Sequence, residues 1–314
     1  MSDERINEFI LLEKKDIINL FQPFDSSLKV LDFAPMKNGM SNSGYCVMTT
    51  KGKYLLKLYS STTDTIETAM FGYLRNIINV PRLYYYSCDK RYIRNAYTIT
   101  EYIEGMTLLE YIYKNKAYPI ETAYTVGKMC AEIHSKKHII DAILDINLNA
   151  VADLPPTREK IMYLLSSRPG EFLHRDTSLK LQNYIKDNQG KFDEIEEESV
   201  LLHGDMSYGN IMLSGNRVYF IDFEFAFAGS RYHDIGHFFR RKDADMQLYI
   251  DDGIYDAFAK GYNSSSDNPL PADWLKLARL CDIDAMLCLL NHNNIPAQWV
   301  SDIEYDILCS IRDY

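Results

Sequence analysis

"VLLHGDMSYGNIML", residues 200–213, decides how this chain is read. A hydrophobic run breaks at His203-Gly204-Asp205, crosses a polar loop to Asn210 and turns hydrophobic again. A strand that only had to reverse would do so in about two to five residues, with Gly or Asn at the bend. Here the loop sets a carboxylate at one end and a carboxamide at the other. Beyond it, IML (211–213) and VYFID (218–222) read as two short strands joined across Ser214-Gly215-Asn216, and Asp222-Phe223-Glu224 follows. Such a hairpin is expected to bring Asn210 and Asp222 to one end of the ribbon. An amide oxygen beside a carboxylate is a hard-oxygen pair suited to Mg²⁺, which keeps several waters and takes few protein ligands. Asp205, across the loop, is placed to orient a hydroxyl.

Around this loop the texture of the chain changes twice. Residues 5–21 carry Ile6, Phe9, Ile10, Ile17, Leu20 and Phe21 at helical spacing and predict one amphipathic helix. From 28 to 103 short β-like runs follow: LKVLDFA, YCVMTT, KYLLKLY, RLYYYS and AYTITEYI. One helix, 64–79, interrupts them. After Gly105 the pattern is helical over 120–138, 158–168 and 171–188; the acidic run DEIEEES reads as a solvated connector, and helices resume from Asp234. The expected architecture is α+β, with a β-rich part over 1–103 for nucleotide and a helical part over 104–314 for the catalytic loop and acceptor.

These residues form the parts list of phosphoryl transfer: an aspartate to take the proton of the attacking hydroxyl, and an asparagine and a second aspartate for metal ions on the phosphates. The spacing from Asp205 to Asn210 equals the D-x-x-x-x-N of protein-kinase catalytic loops. The sequence resembles the aminoglycoside phosphotransferase/choline kinase family, whose H-G-D-x-x-x-x-N and hydrophobic-D-[WF]-[ED] signatures read here as HGDMSYGN and IDFE. The resemblance runs from about residue 28 to about 240 and implies a bilobal protein-kinase-like fold. It makes Asp205 the catalytic base, Asn210 and Asp222 ligands of Mg²⁺, and Glu224 a neighbour of the metals. His203 is expected to brace the loop, and Asp234, in RYHDIGHFF, to brace it from the following helix.

The β-rich part holds what a nucleotide grasp needs. Lys57, within KYLLKLY, is expected to hold the α- and β-phosphates of ATP or GTP, steadied by Glu67 from the one helix there. Asn38, Gly39, Ser41, Asn42 and Ser43 lie in a turn between the first two strands, where kinase-like folds cover the phosphates. Glu101 and Ile103 stand where an extended hinge would meet the adenine edge.

Composition bounds the rest. With 46% hydrophobic and 25% charged residues over 314 positions, the chain reads as an ordinary soluble protein, expected in the cytoplasm and not in a membrane. Six scattered cysteines read as reduced core residues. A net charge of −10 without a basic stripe argues against nucleic acid. No D-F-G or A-P-E element follows Asp222, which favours a small-molecule acceptor over a peptide, and a monomer suffices for that reading. His233 and His237 invite a zinc site, but zincins need Glu beside the first histidine.

From Asp243 to Tyr314 there are thirteen Asp or Glu against four Lys or Arg, a charge of −9. Asp243, Asp245, Asp251, Asp252, Asp282 and Asp284 are expected to wall the acceptor cleft, Asp282 and Asp284 foremost because they interrupt the apolar stretch LARLCDIDAMLCLL. A single-sign field concentrates opposite charge. The acceptor is accordingly expected to be cationic and amine-bearing, aminoglycosides ahead of amino alcohols. A choline, amino-alcohol or sugar kinase is the alternative within the family, and a catalytically dead nucleotide- or partner-binding protein the alternative outside catalysis.

Overall fold

The computed structural model of the protein describes residues 7–36, 41–60, 65–240 and 248–312. Asn38 and Gly39 of the expected phosphate turn, and Asp243 and Asp245 of the expected wall, lie outside the described residues. The chain divides into two compact units. Met1–Gly105, Ile146–Leu148 and Met212–Glu224 form the first; Met106–Asp145, Asn149–Ile211 and Phe225–Tyr314 form the second. The hairpin that carries Asp222 therefore belongs with the N-terminal unit.

In the first unit five strands make an antiparallel sheet: β1 (Val30–Met36), β2 (Ser43–Thr49), β3 (Gly52–Leu58), β4 (Leu83–Ser87) and β5 (Tyr97–Glu101), in the order β1-β2-β3-β5-β4. Alternation along β3 sends Leu56 and Leu58 into a core with Val47, Tyr97 and Ile99, closed by Ile17, Leu20 and Phe21 of helix α1 (Lys14–Phe21). The same alternation turns Lys57 to the other face, where it pairs in register with Gly44 on β2 and Thr98 on β5. Helix α2 (Ile66–Leu74) brings Glu67 to that face.

Helix α1 begins at Lys14, not near residue 5. Its start is a capping box between Glu13 and Asp16. Before it, the backbone is committed to β2 instead: Ile10 N–H donates to Ser43 Oγ (2.9 Å), Leu12 N–H to Tyr45 Oη (3.0 Å), and Tyr45 Oη to Ile10 O (2.7 Å). Side-chain partners on a neighbouring strand outbid helical spacing.

The second unit is helical with a five-stranded antiparallel sheet that the sequence pattern hid. Besides the short strand β6 (Met106–Thr107) it contains β7 (Lys137–His138), β8 (Ala142–Leu144), β9 (Ala150–Asp153) and β10 (Ser199–Leu202). Strands β11 (Ile211–Ser214) and β12 (Arg217–Phe220) form the expected hairpin, and β13 (Phe227–Ser230) follows. The sheet order is β7-β10-β13-β8-β9, with fully buried β10 leading straight into His203. Helix α3 (Leu108–Asn115) is capped by Thr107, and α4 (Ile120–His134) ends at His134, not 138, because Lys137 and His138 pair with Ser199 and Val200.

The stretch 157–195 splits into α5 (Thr157–Leu165), α6 (Arg168–Phe172), α7 (Arg175–Asp187) and α8 (Gln189–Ile195). The acidic run is only partly a connector: Ile195 is buried within α8, and Glu196 accepts the backbone N–H of Arg158 at 2.8 Å. Helix α9 (Tyr232–Phe238) follows β13, and α10 (Asp252–Asn263) crosses α4 at two glycines. A Cβ at Gly127 would stand 2.1 Å from Phe258 O, and one at Gly261 1.9 Å from Tyr124 O, so any side chain there would part the helices. Helices α11 (Trp274–Cys281), α12 (Ile283–Leu289) and α13 (Ala297–Ser310) complete the unit. No helix among the described residues is long and apolar enough to cross a membrane.

Candidate active site

In the first unit the charged residues converge on Lys57. Its Nζ lies 3.1 and 3.0 Å from the two Glu67 oxygens, 2.6 Å from Asp222 Oδ1 and 4.0 Å from a Glu224 oxygen. The Lys57 and Glu67 side chains are only 14% and 2% exposed. Burial opposes the lysine's charge, yet Glu67, Asp222 and Glu224 hold its pKa well above the ordinary value. Glu67 is fixed further by the Tyr59 hydroxyl and by the Phe223 N–H, which donates at 3.2 Å. The Phe71 and Phe223 rings meet edge to face at 5.9 Å.

The hairpin is held in this unit by its backbone. Phe220 N–H donates to Asn79 O (3.1 Å) and Asn79 Nδ2 to Val218 O (3.1 Å). Past β12 the chain turns sharply, with Asp222 in the left-handed region at φ 66°. Aspartate tolerates that conformation better than most residues, and the turn aims its carboxylate at Lys57. Glu224 accepts from Asn42 Nδ2, while Asn42 Oδ1 accepts the Ser60 N–H at 3.0 Å. Burial first, then Asp222 and Glu67, against the pull of Lys57, push Glu224 up to about 7. Of the expected phosphate turn, Asn42 thus touches the acidic cluster. Ser41 and Ser43 instead hold the segment before α1, Ser41 O accepting from Asn7 Nδ2 at 3.1 Å. At the end of β5 the Glu101 N–H is taken by Arg82 O at 2.8 Å, and no described contact fixes Ile103.

In the second unit the loop after β10 is built around Asp234 of α9. This buried carboxylate accepts the N–H groups of His203 (2.7 Å) and Gly204 (2.9 Å). Burial would raise its pKa, but His134, His203 and those bonds hold it below the ordinary value. His134, the last residue of α4, stands 3.2 Å from Asp234 and 3.1 Å from Tyr262 Oη. A histidine at the end of an apolar helix stripe was the only available signal. His203 Nδ1 accepts the Asp205 N–H at 3.3 Å. Gly204, at φ 81°, lies where a Cβ would be 1.9 Å from Phe225 O, so only glycine passes.

Asp205 itself is held at both carboxylate oxygens. Asn210 Nδ2 donates to Oδ2 and to the Asp205 carbonyl, both at 2.8 Å, and His237 Nε2 lies 3.2 Å from Oδ1. The Asn210 amide oxygen takes part in neither bond and is the atom suited to a cation. The two histidines of α9 do not converge: His233 Nδ1 faces Asp284 at 3.5 Å, and His237 faces Asp205.

The expected acidic wall is corrected at its two leading members. Asp282 and Asp284 are 3% and 0% exposed. The Arg240 guanidinium clamps Asp282 with Nε at 2.6 Å and Nη2 at 2.5 Å, and Lys160 Nζ lies 2.7 Å from Asp284. Both acids interrupt an apolar stretch because cations come to meet them, Arg240 at Asp282 and the half-buried Lys160 at Asp284. The stretch bends there, α11 ending and α12 beginning at Asp282.

The sequence profile of the phosphotransferase enzyme family matches residues 32–278. No curated protein matches the chain in sequence. Among solved structures it is similar to choline kinase from Cryptosporidium parvum Iowa II, at 15% identity over 95% of both chains and a TM-score of 0.62. It is also similar to the streptomycin–ATP–APH(2″)-IIa ternary complex, at 16% identity over 94% and 97% with a TM-score of 0.60. The GDP and kanamycin complex of APH(2″)-IIIa is 13% identical over 95% and 98%, with a TM-score of 0.63. The matched profile covers most of the chain, the fold is protein-kinase-like, and the chain belongs to the phosphotransferase enzyme family.

Proposed function

We propose that the protein is a small-molecule kinase that moves the γ-phosphoryl group of ATP or GTP to a hydroxyl of an amine-bearing acceptor. The observation that carries this reading is the Lys57 cluster, in which one buried ammonium faces Glu67, Asp222 and Glu224. Three carboxylates around one cation leave a surplus of negative charge, and Asp222 and Glu67 add to burial in raising the pKa of Glu224. A divalent cation suits that surplus. We assign Lys57, kept in place by Glu67, to the nucleotide phosphates, and Asp222 and Glu224 to Mg²⁺, with the Asn210 amide oxygen as a further donor. Mg²⁺, when bound, neutralises charge on the phosphates. Asp205 accepts the proton of the attacking hydroxyl, and Asp234 and His203 hold its loop in shape. Asn42, with the neighbouring turn, and Glu101 and Ile103 are assigned to the nucleotide. We place the activity in the cytoplasm, where ATP is supplied.

The amine on the acceptor is supported by the −9 charge of residues 243–314 and by the ligands named for the similar structures: choline, streptomycin and kanamycin. Without Asp282 and Asp284, which are buried in ion pairs, the segment still carries −7, and Asp251 and Asp252 are exposed. An ATP-consumption screen against aminoglycosides, amino alcohols and neutral sugars, with Asp205→Asn as control, tests the reading. The best acceptor is expected among the amines, with kcat/KM falling as salt rises. A neutral sugar as best acceptor, without salt dependence, rejects the amine; consumption unaffected by Asp205→Asn rejects the mechanism.

A further inference from the structure

The base assigned above is not held by its own loop alone. His237, on α9 one turn beyond Asp234, places Nε2 3.2 Å from Asp205 Oδ1. The opposite oxygen, Oδ2, takes Asn210 Nδ2 at 2.8 Å. The His237 side chain is 18% exposed and that of Asp205 35%, so the imidazole is largely packed while the carboxylate stays open to a ligand. The ring rides on the same short helix that holds the loop through Asp234, whose carboxylate takes the His203 and Gly204 N–H groups. One rigid element thus fixes both the backbone before the base and the carboxylate of the base.

We propose that His237 is a positioning residue for phosphoryl transfer: its Nε2 contact fixes the rotation of the Asp205 carboxylate, so that a lone pair meets the acceptor hydroxyl. A carboxylate held at one oxygen only can turn about its Cβ–Cγ bond, and terminal sp³–sp² torsions of this kind are broad. Misplacing a reacting group by about 1 Å can cost on the order of 10²-fold in rate. The inference rests on Asp205 being the base. The histidine does not touch the acceptor and takes no proton in the balance: the hydroxyl O–H bond breaks, its proton goes to Asp205, the O–Pγ bond forms, and the nucleoside diphosphate leaves.

A double-mutant cycle on the full chain tests it, read as hydrolysis of Mg·ATP by water and as transfer to kanamycin, streptomycin and choline. His237→Ala is expected to lower kcat about 10-fold or more, with the KM for ATP changed less than twofold. His237→Gln, which keeps a nitrogen donor of similar reach, is expected to recover most of that loss. In the Asp205→Asn background His237→Ala is expected to add less than a twofold loss, since it acts through the carboxylate. Equal losses in both backgrounds, or a Gln variant no better than Ala, overturn the positioning role. An Asp205→Asn enzyme as fast as wild type overturns the base assignment instead. A readout without turnover completes the set: the NMR signals of the His237 ring are expected to shift in Asp205→Asn, because its neighbour at 3.2 Å loses its charge. Unmoved His237 ring signals deny the contact itself.

Discussion

Lys57 Nζ stands 2.6 Å from Asp222 Oδ1, so the group assigned to the nucleotide phosphates and the group assigned to the metal hold each other. Nucleotide and Mg²⁺ would each take over one partner of this pair, and each half should depend on the other. Asp222→Asn removes the charge while keeping a residue that accepts φ 66°. It is expected to weaken Mg·ATP binding by about 10-fold or more, and Lys57→Ala to do the same. Calorimetric titration with Mg·ATP checks this; two variants that bind like wild type would show that the cluster serves only the fold.

Asp205→Asn is expected to leave nucleotide affinity within about twofold of wild type and to lower turnover by about 10²-fold or more. Asparagine keeps the side chain's size but offers one acceptor oxygen to Asn210 Nδ2 and His237 Nε2 in place of two, so nucleotide affinity is measured beside turnover to show that the fold is kept. Single-turnover measurement of phosphoryl transfer reads it directly. Retention of more than half the wild-type rate would falsify the assignment.

Glu224 predicts a pH effect on the ligand-free protein. Its folded pKa of about 7 exceeds its ordinary value of 4.5, so the folded state binds this proton more tightly. The stabilisation is fully present below pH 4.5 and is lost as pH rises through about 7. Between pH 5 and 8 the group is expected to cost the fold roughly 3 kcal/mol. Denaturant unfolding of wild type and Glu224→Gln at both pH values checks the sign: the difference between them should grow with pH. A difference independent of pH means that the carboxylate is already ionised at pH 5.

Asp282→Ala leaves the buried Arg240 guanidinium without its clamp and is expected to destabilise the protein by about 3–5 kcal/mol. The acceptor KM of the surviving folded enzyme should change little. Unfolding curves together with acceptor kinetics decide: unchanged stability with a raised acceptor KM would return Asp282 to the acceptor side.

Sequence alone determined the loop from His203 to Asn210, because His203-Gly204-Asp205 and Asn210 are neighbours in the chain and their spacing is local. It also determined the five strands of the first sheet and the placement of Lys57 on the face opposite Leu56 and Leu58, since period-two alternation follows from strand geometry. The pairing of Lys57 with Glu67 was legible because one strand and one helix supply both. The tertiary structure decided what depends on distant partners. Segment 7–12 lost its helical spacing to Ser43 and Tyr45, and the strands of 137–153 exist only because β10 and β13 offer edges to them. Asp282 and Asp284 looked like acids facing water, because sequence shows their charge but not Arg240 and Lys160, which are 42 and 124 positions away along the chain. His134 and His237 were obscure for the same reason. A histidine's role is set by the carboxylate that packing brings to it, here Asp234 for one and Asp205 for the other.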